Sequence, residues 1–190
     1  MSENKAQNPV TAMDIVLEPD ATMIERAQAA NAALRKNSPK GYSLDEEHRP
    51  HISVMGGYVY TAIPLKEIGL GGIVVEPTPD MMRLQRKLIA ALAPFMSPTG
   101  TDAAYAKTPS APVINQATLD AVATYLSEHA GEHYSPHVTI GVGTAKYLDT
   151  LLAAPFPAFN FSAVGDSAYQ FGNFWNCCKA PASVQADAVS

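Results

Sequence analysis

Pro50-His51-Ile52-Ser53-Val54 and Pro136-His137-Val138-Thr139-Ile140 are two copies of one phrase: a proline, a histidine, an apolar residue, a hydroxyl and a second apolar residue. On a β-strand successive side chains point to opposite faces, so His51 and Ser53 share one face while Ile52 and Val54 take the other. The second copy reads the same way. Proline inside a sheet is confined to a strand's start or to an edge, so both strands are expected to begin at the same point relative to the histidine. Glycines follow each copy, Gly56-Gly57 and then Gly141 with Gly143, and no other repeat is visible in the sequence.

Outward from the two phrases, the chain reads as a mixture of strands and helices. Met13 to Leu17 is expected to be a short strand, and a helix follows from about Thr22 to Lys36, with Asp20 or Thr22 as cap and Met23, Ile24, Ala27 and Leu34 as its apolar stripe. The first histidine strand runs to Val59, and Leu70 to Val75 reads as a buried strand. Thr78-Pro79-Asp80 starts a helix, with Thr78 as cap and Pro79 at the first helical position. Met81, Leu84, Leu88, Leu92 and Phe95 recur along it at helical spacing and are expected to face the core. Residues 94 to 112 hold four prolines and a glycine, the composition of an irregular connection, either a boundary between lobes or an active-site loop. A helix over Asn115 to Ala130, ended by Gly131, leads to the second histidine strand. A short helix, Lys146 to Leu152, capped by Thr144, comes next. Phe159 to Val164 and Ala168 to Phe171 are expected to form a hairpin around Gly165-Asp166. Without regular alternation of strand and helix, the fold class is α+β.

Composition narrows the function. The 190 residues suffice for a real hydrophobic core. Thirteen basic against 18 acidic residues, a formal net charge of -5, argue against a protein that coats duplex DNA through a broad basic face. The polar stretch Met1 to Thr11 contains no apolar run of signal-peptide length, and no segment approaches the roughly 20 apolar residues of a membrane span, so the chain reads as soluble and cytoplasmic. Cys177 and Cys178 are adjacent, too close to staple a loop, and read as bystanders in a reducing compartment.

The chemistry lies in the repeated phrase. An imidazole has an ordinary pKa near ~6.5 and can accept or donate a proton at neutral pH. Cleaving or forming a phosphodiester needs one proton removed from the incoming oxygen and one delivered to the leaving oxygen, which two facing imidazoles supply without a metal or cofactor. Ser53 and Thr139, on the same faces, are placed to hydrogen-bond the non-bridging phosphate oxygens.

In these residues the chain resembles the two-histidine (2H) phosphoesterase superfamily, which includes the 2′-5′ RNA ligase and cyclic phosphodiesterase proteins. Its mark is a pair of His-x-Thr/Ser-x motifs, matched here by His51-Ile52-Ser53-Val54 and His137-Val138-Thr139-Ile140. The resemblance extends through Ile73-Val74-Val75-Glu76-Pro77-Thr78-Pro79-Asp80, Gly131-Glu132-His133 and Tyr169-Gln170-Phe171-Gly172-Asn173-Phe174, which look like bacterial 2′-5′ RNA ligase-like members. It covers most of residues 13 to 175. It implies two pseudo-symmetric lobes of antiparallel sheet with packed helices around a central cleft. It also implies hydrolysis or formation of 2′,3′-cyclic phosphate and 2′-5′ phosphodiester bonds of RNA ends or nucleotides, with His51 and His137 as acid and base in either order. Residues 1 to 12 are then expected to form a flexible leader and 176 to 190 a disordered tail around a two-lobed domain, with monomer the favoured state and the oligomeric state left open by the sequence. Two departures stand out. Only Tyr60 to Glu67 separates the first histidine strand from Ile68-Gly69-Leu70, where relatives carry a further helix and strand, and the sequence leaves the family pattern after Phe174. The shortened first lobe motivates the alternative reading, a non-catalytic module that holds an RNA end or nucleotide.

Other residues receive plainer readings. His129, His133 and His137 are spaced by four, as zinc ligands on one helix would be, but Gly131 and Pro136 break such a helix. His129 then reads as a cation near a helix C-terminus, His133 as a loop residue, and His48 as a solvated side chain. Tyr58 and Tyr134 are weak candidates for stacking a nucleobase, as are Tyr60 and Phe171, though aromatics beside strands more often belong to a core. Arg49 and Lys107 are candidates for steering an anion. Gly69-Leu70-Gly71-Gly72 precedes a strand rather than a helix and does not fit a phosphate-binding loop.

Overall fold

A computed structural model describes residues 11–39, 41–46, 48–56, 68–97, 100–109, 112–173 and 177–179. Six strands, β1 (Met13–Pro19), β2 (Ile52–Gly56), β3 (Ile68–Val74), β4 (His137–Thr144), β5 (Ala163–Phe171) and β6 (Cys177–Lys179), form one antiparallel sheet in the order β3-β4-β2-β1-β5-β6. Four helices accompany it: α1 (Ala21–Asn37), α2 (Pro79–Leu92), α3 (Gln116–Glu128) and α4 (Ala145–Ala153). The α+β class holds. The two histidine strands are neighbours at the middle of the sheet, and Ile52 opposite Val138 joins its two sides.

Helix starts follow local chemistry. Asp20, Thr78, Asn115 and Thr144 each accept a hydrogen bond from the backbone N–H three residues on, satisfying a donor that has no partner within the helix. Along α1 the buried positions are Met23, Ala27, Asn31 and Leu34, an apolar stripe interrupted by one amide. Met23 and Ala27 pack with Ile52, Val138 and Ile140 of the two histidine phrases and with Ile73 of β3.

Both histidine strands carry a β-bulge at the same place. Pairing of β2 with β1 passes from Met55 opposite Ile15 to Ser53 opposite Val16, leaving Val54 as the extra residue. Pairing of β4 with β3 passes from Gly141 opposite Gly71 to Thr139 opposite Gly72, leaving Ile140 as the extra residue. Each extra residue stands three after its histidine. A bulge releases a buried carbonyl from the ladder, and a helix supplies the donor in each case. Asn31 Nδ2 of α1 donates to Ile140 O at 2.8 Å, and Gln85 Nε2 of α2 donates to Val54 O at 3.2 Å, where the Tyr125 hydroxyl also reaches at 3.5 Å. The same two amides hold the chain leading into the phrases. Asn31 donates to Tyr42 O and accepts from Leu44 N, while Gln85 accepts from Gly131 N. At the second bulge Gly141 has φ +128°, and a Cβ there would stand 2.9 Å from Asn31 Nδ2, so only glycine fits.

Several expectations are corrected. The predicted hairpin around Gly165-Asp166 is one continuous strand, β5, because β1 offers an edge along its length: Glu18 pairs with Gly165 and Leu17 with Asp166. On α2 the buried residue is Gln85, whereas Leu84 and Phe95 are exposed and Leu88 and Leu92 only half-buried; Met81, also half-buried, does pack against the core as expected. The helix seats on β2 through its amide rather than through its leucines. Residues 101 to 107 are not a bare connection, since Ala104 O accepts from Ala12 N and from Gln170 Nε2, and Ala104 and Tyr105 pack with Ile114 and Phe171. Ala12, placed in the leader by its sequence, is buried in that cluster. Cys177–Lys179 forms an edge strand on β5 rather than the start of a tail. Residues 1–10 and 180–190 lie outside the described residues, as does 57–67, which holds the whole of the shortened segment Tyr60 to Glu67 and the expected end of the first histidine strand at Val59. No described helix is long and apolar enough to cross a membrane.

Replacing either amide by leucine leaves buried backbone groups without partners, so Asn31→Leu and Gln85→Leu are each expected to cost about 2 to 4 kcal/mol in urea denaturation. An unchanged denaturation midpoint in either variant would show that the amides do not carry the bulges.

Candidate active site

Continuing the pairing of Ile52 with Val138 by one residue in each direction sets His51 opposite Thr139 and Ser53 opposite His137. All four then share one face, with the histidines on a diagonal whose typical Cβ separation is about 7 to 8 Å, and the direct pairs about 5 Å apart. Their backs, Ile52 and Val138, are fully buried, while the four polar residues are half-buried.

The two rings are held alike. His51 Nδ1 lies 2.7 Å from Arg49 O, and His137 Nδ1 lies 2.9 Å from Ser135 O. A carbonyl can only accept, so in both residues Nδ1 carries the hydrogen and Nε2 is the nitrogen left for chemistry. The proline between each carbonyl and its histidine restricts the backbone that brings them together. Gly72, opposite Thr139 on β3, makes room for the second ring: a Cβ there would lie 3.3 Å from His137 Cδ2.

Beneath the first histidine lies Asp14 of β1, fully buried. Ser53 Oγ donates to its Oδ2 at 2.6 Å, and His51 Nε2 stands 3.7 Å from the same oxygen. Burial pushes the Asp14 carboxyl well above the usual carboxylate range, and the Ser53 hydrogen bond only partly opposes this. Burial likewise lowers the His51 imidazole; the contact with Arg49 O works the other way, and the nearby charge of His137 lowers it further. A carboxyl pushed towards its neutral form gives His51 little charge to pair with, so desolvation prevails. Asp14 belongs to no motif, and its trace in the sequence is slight: one acidic residue in the otherwise apolar stretch Met13 to Leu17.

Tyr134 stands at the end of the turn Gly131–His133, and its hydroxyl donates to Ser53 O at 2.8 Å. Burial first, then Tyr125 and Asp14 nearby, push its phenol up, so it stays a donor. Its polar end therefore fixes β2. On the other side of β1, Glu18 accepts from Ser167 Oγ at 2.6 Å and Tyr169 OH at 3.0 Å; these bonds hold its carboxyl below the usual range, and the Arg49 charge adds to the effect.

The remaining candidates lie apart from this arrangement. Tyr58 and Tyr60 are outside the described residues, and Phe171 is fully buried in the cluster with Ala12. His48 is not a solvated side chain: it stacks on Tyr42 at 4.6 Å between ring centroids and contacts Asp45 at 3.2 Å. His129 caps the C-terminus of α3, the place expected for it, but is buried there against Tyr125, and His133 lies in the helical turn Gly131–His133. The three histidines spaced by four thus fall on separate elements, and among the described residues no group of three histidine, cysteine or acidic side chains is placed to hold a metal ion. Lys107 pairs with Asp102 at 2.6 Å. No family model, curated protein or solved structure matches the chain.

Two outcomes follow from this geometry. Gly72→Val is expected to shift the His137 ring resonances in NMR spectra while leaving those of His51 in place. The unfolded chain binds a proton at His51 near pH 6.5 and the folded chain only at lower pH, so the stability tied to this residue is present above about 6.5 and lost as pH falls through the folded midpoint. Thermal melts of wild type and His51→Asn over that interval should diverge, with the wild type losing more on acidification.

Proposed function

We propose that this protein is a metal-independent phosphoesterase that opens 2′,3′-cyclic phosphates or 2′-5′ phosphodiester bonds of RNA ends or nucleotides, using His51 and His137 as base and acid. The observation that carries the reading is the matched pair of rings. Two imidazoles on adjacent strands share one face, and each has Nδ1 committed to a backbone carbonyl and Nε2 available. The corresponding bulges, each supported by a buried helix amide that also holds the chain entering the other histidine strand, favour the pseudo-symmetric two-lobed arrangement that the resemblance implies.

His51, lowered by burial, is assigned as the base. Its Nε2 takes a proton from water as the water oxygen bonds to phosphorus. The bond from phosphorus to one ribose oxygen breaks on the opposite side, and that oxygen receives a proton from His137 Nε2. The product is a ribose monophosphate with a free neighbouring hydroxyl, and solvent returns both rings to their starting states. Thr139, opposite His51, is placed to donate to a non-bridging oxygen.

Hydrolysis of 2′,3′-cyclic nucleotides by the purified protein tests this. Activity is expected to persist in excess chelator, with a bell-shaped pH profile whose acidic limb lies below about pH 6.5. His51→Ala and His137→Ala should each lower kcat by about 10² to 10⁴. Undiminished turnover in either folded variant would sink the mechanism. Saturable nucleotide binding by wild type without product would instead identify a binding module.

A further inference from the structure

The acid–base scheme gives no role to the buried carboxyl group nearest its histidines. Asp14 is excluded from solvent, yet its Oδ2 sits 2.6 Å from Ser53 Oγ and 3.7 Å from His51 Nε2. We propose that Asp14 is a positioning residue of this site, whose proton decides whether the Ser53 hydroxyl turns inward to the carboxyl group or outward to donate to an oxyanion ligand. The oxyanion rests on the phosphoester reading; the contact that does the switching does not.

The argument is one of donors and acceptors. A carboxylate can only accept, so beside ionised Asp14 the Ser53 hydrogen points at Oδ2, and the hydroxyl offers a ligand only lone pairs. Those lone pairs repel a phosphate oxygen. When Asp14 carries a proton, Oδ2–H donates to Ser53 Oγ and the serine hydrogen is released for the ligand. Protonation also removes a negative charge close to the position of the phosphate. Burial of the carboxyl favours this neutral form. Anion binding and Asp14 protonation are therefore linked, each favouring the other.

Among the described residues, the titratable groups around Asp14 are His51 on β2, Tyr134 before β4 and Tyr169, its partner in register on β5; His137 stands beyond Ser53. Tyr134 and Tyr169 are both pushed up, so the two imidazoles are the groups to be separated from Asp14. Asparagine serves that purpose, because its amide can donate to Ser53 Oγ at every pH.

Sulfate is a suitable probe, since its charge is constant over roughly pH 5 to 8, the range in which imidazoles titrate. Its affinity should be measured by calorimetry for wild type, Asp14→Asn, Ser53→Ala and the double variant. Wild-type affinity is expected to fall more steeply with rising pH than that of Asp14→Asn. Ser53→Ala should bind about tenfold more weakly at the acid end, as the loss of one hydrogen bond to a charged ligand implies. In the Ser53→Ala background, changing Asp14 should matter less, because only the charge remains to be relieved. Superposable pH curves for wild type and Asp14→Asn, an equal effect of Asp14→Asn with and without the Ser53 hydroxyl, or no sulfate binding at all, each overturn the proposal.

Should Asp14→Asn not fold, the carboxyl carbon of Asp14 can be followed by NMR in wild type and Ser53→Ala. Saturating sulfate is expected to raise its titration midpoint by about one pH unit in wild type, matching a tenfold preference for the protonated form, and by less in Ser53→Ala. An unmoved midpoint overturns the proposal. Turnover of a 2′,3′-cyclic nucleotide is assayed alongside. Linked sulfate binding without turnover defeats the enzymatic reading and leaves Asp14 its role, whereas turnover with unlinked binding does the reverse.

Discussion

Two buried carbonyls, Val54 O and Ile140 O, set the constraint on which this structure depends. Each belongs to the extra residue of a bulged histidine strand, and a buried carbonyl outside the ladder must find a donor elsewhere. Gln85 of α2 and Asn31 of α1 supply those donors. Because each amide also grips the chain entering the other histidine strand, the bulge of one strand is tied to the approach to its counterpart. Satisfying a polar group thus becomes a means of setting the spacing between two rings.

Electrostatics then distinguishes two rings that local geometry makes alike. Both histidines commit Nδ1 to the carbonyl two residues back. What differs is the neighbouring strand. Beside the first phrase, β1 contributes a buried carboxyl, while beside the second, β3 contributes Gly72, whose missing side chain leaves the place the His137 ring lies against. The first ring is desolvated and pushed towards neutrality, the state a base requires. Asymmetry between the copies of a repeated motif can therefore come from the strand next to it, with no change within the motif.

The legible parts of this protein were those governed by short-range rules. Alternation along a strand placed Ile52 and Val138 in the core and the histidines and hydroxyls opposite them, and side-chain caps located helix starts at Asp20, Thr78 and Thr144. The expected hairpin at Gly165-Asp166 failed because turn-forming residues bend a chain only when no neighbouring edge claims their backbone, and β1 claims it. The leucine stripe of α2 misled for a related reason. Periodicity identifies an apolar face, but not which residue the sheet will receive, and β2 receives Gln85.

By itself, the sequence determined the α+β class, the helix caps and the pairing of an imidazole with a hydroxyl on one face of each of two strands, since these follow from backbone geometry over a few residues. Tertiary structure alone decided that the two strands lie side by side, that their bulges coincide, that amides on α1 and α2 satisfy them, and that Asp14 meets Ser53, a residue 39 positions away. The physical reason is that a buried polar group is tolerated only with a partner. The partner's place in the chain is set by which distant segments pack together, and no local rule specifies that.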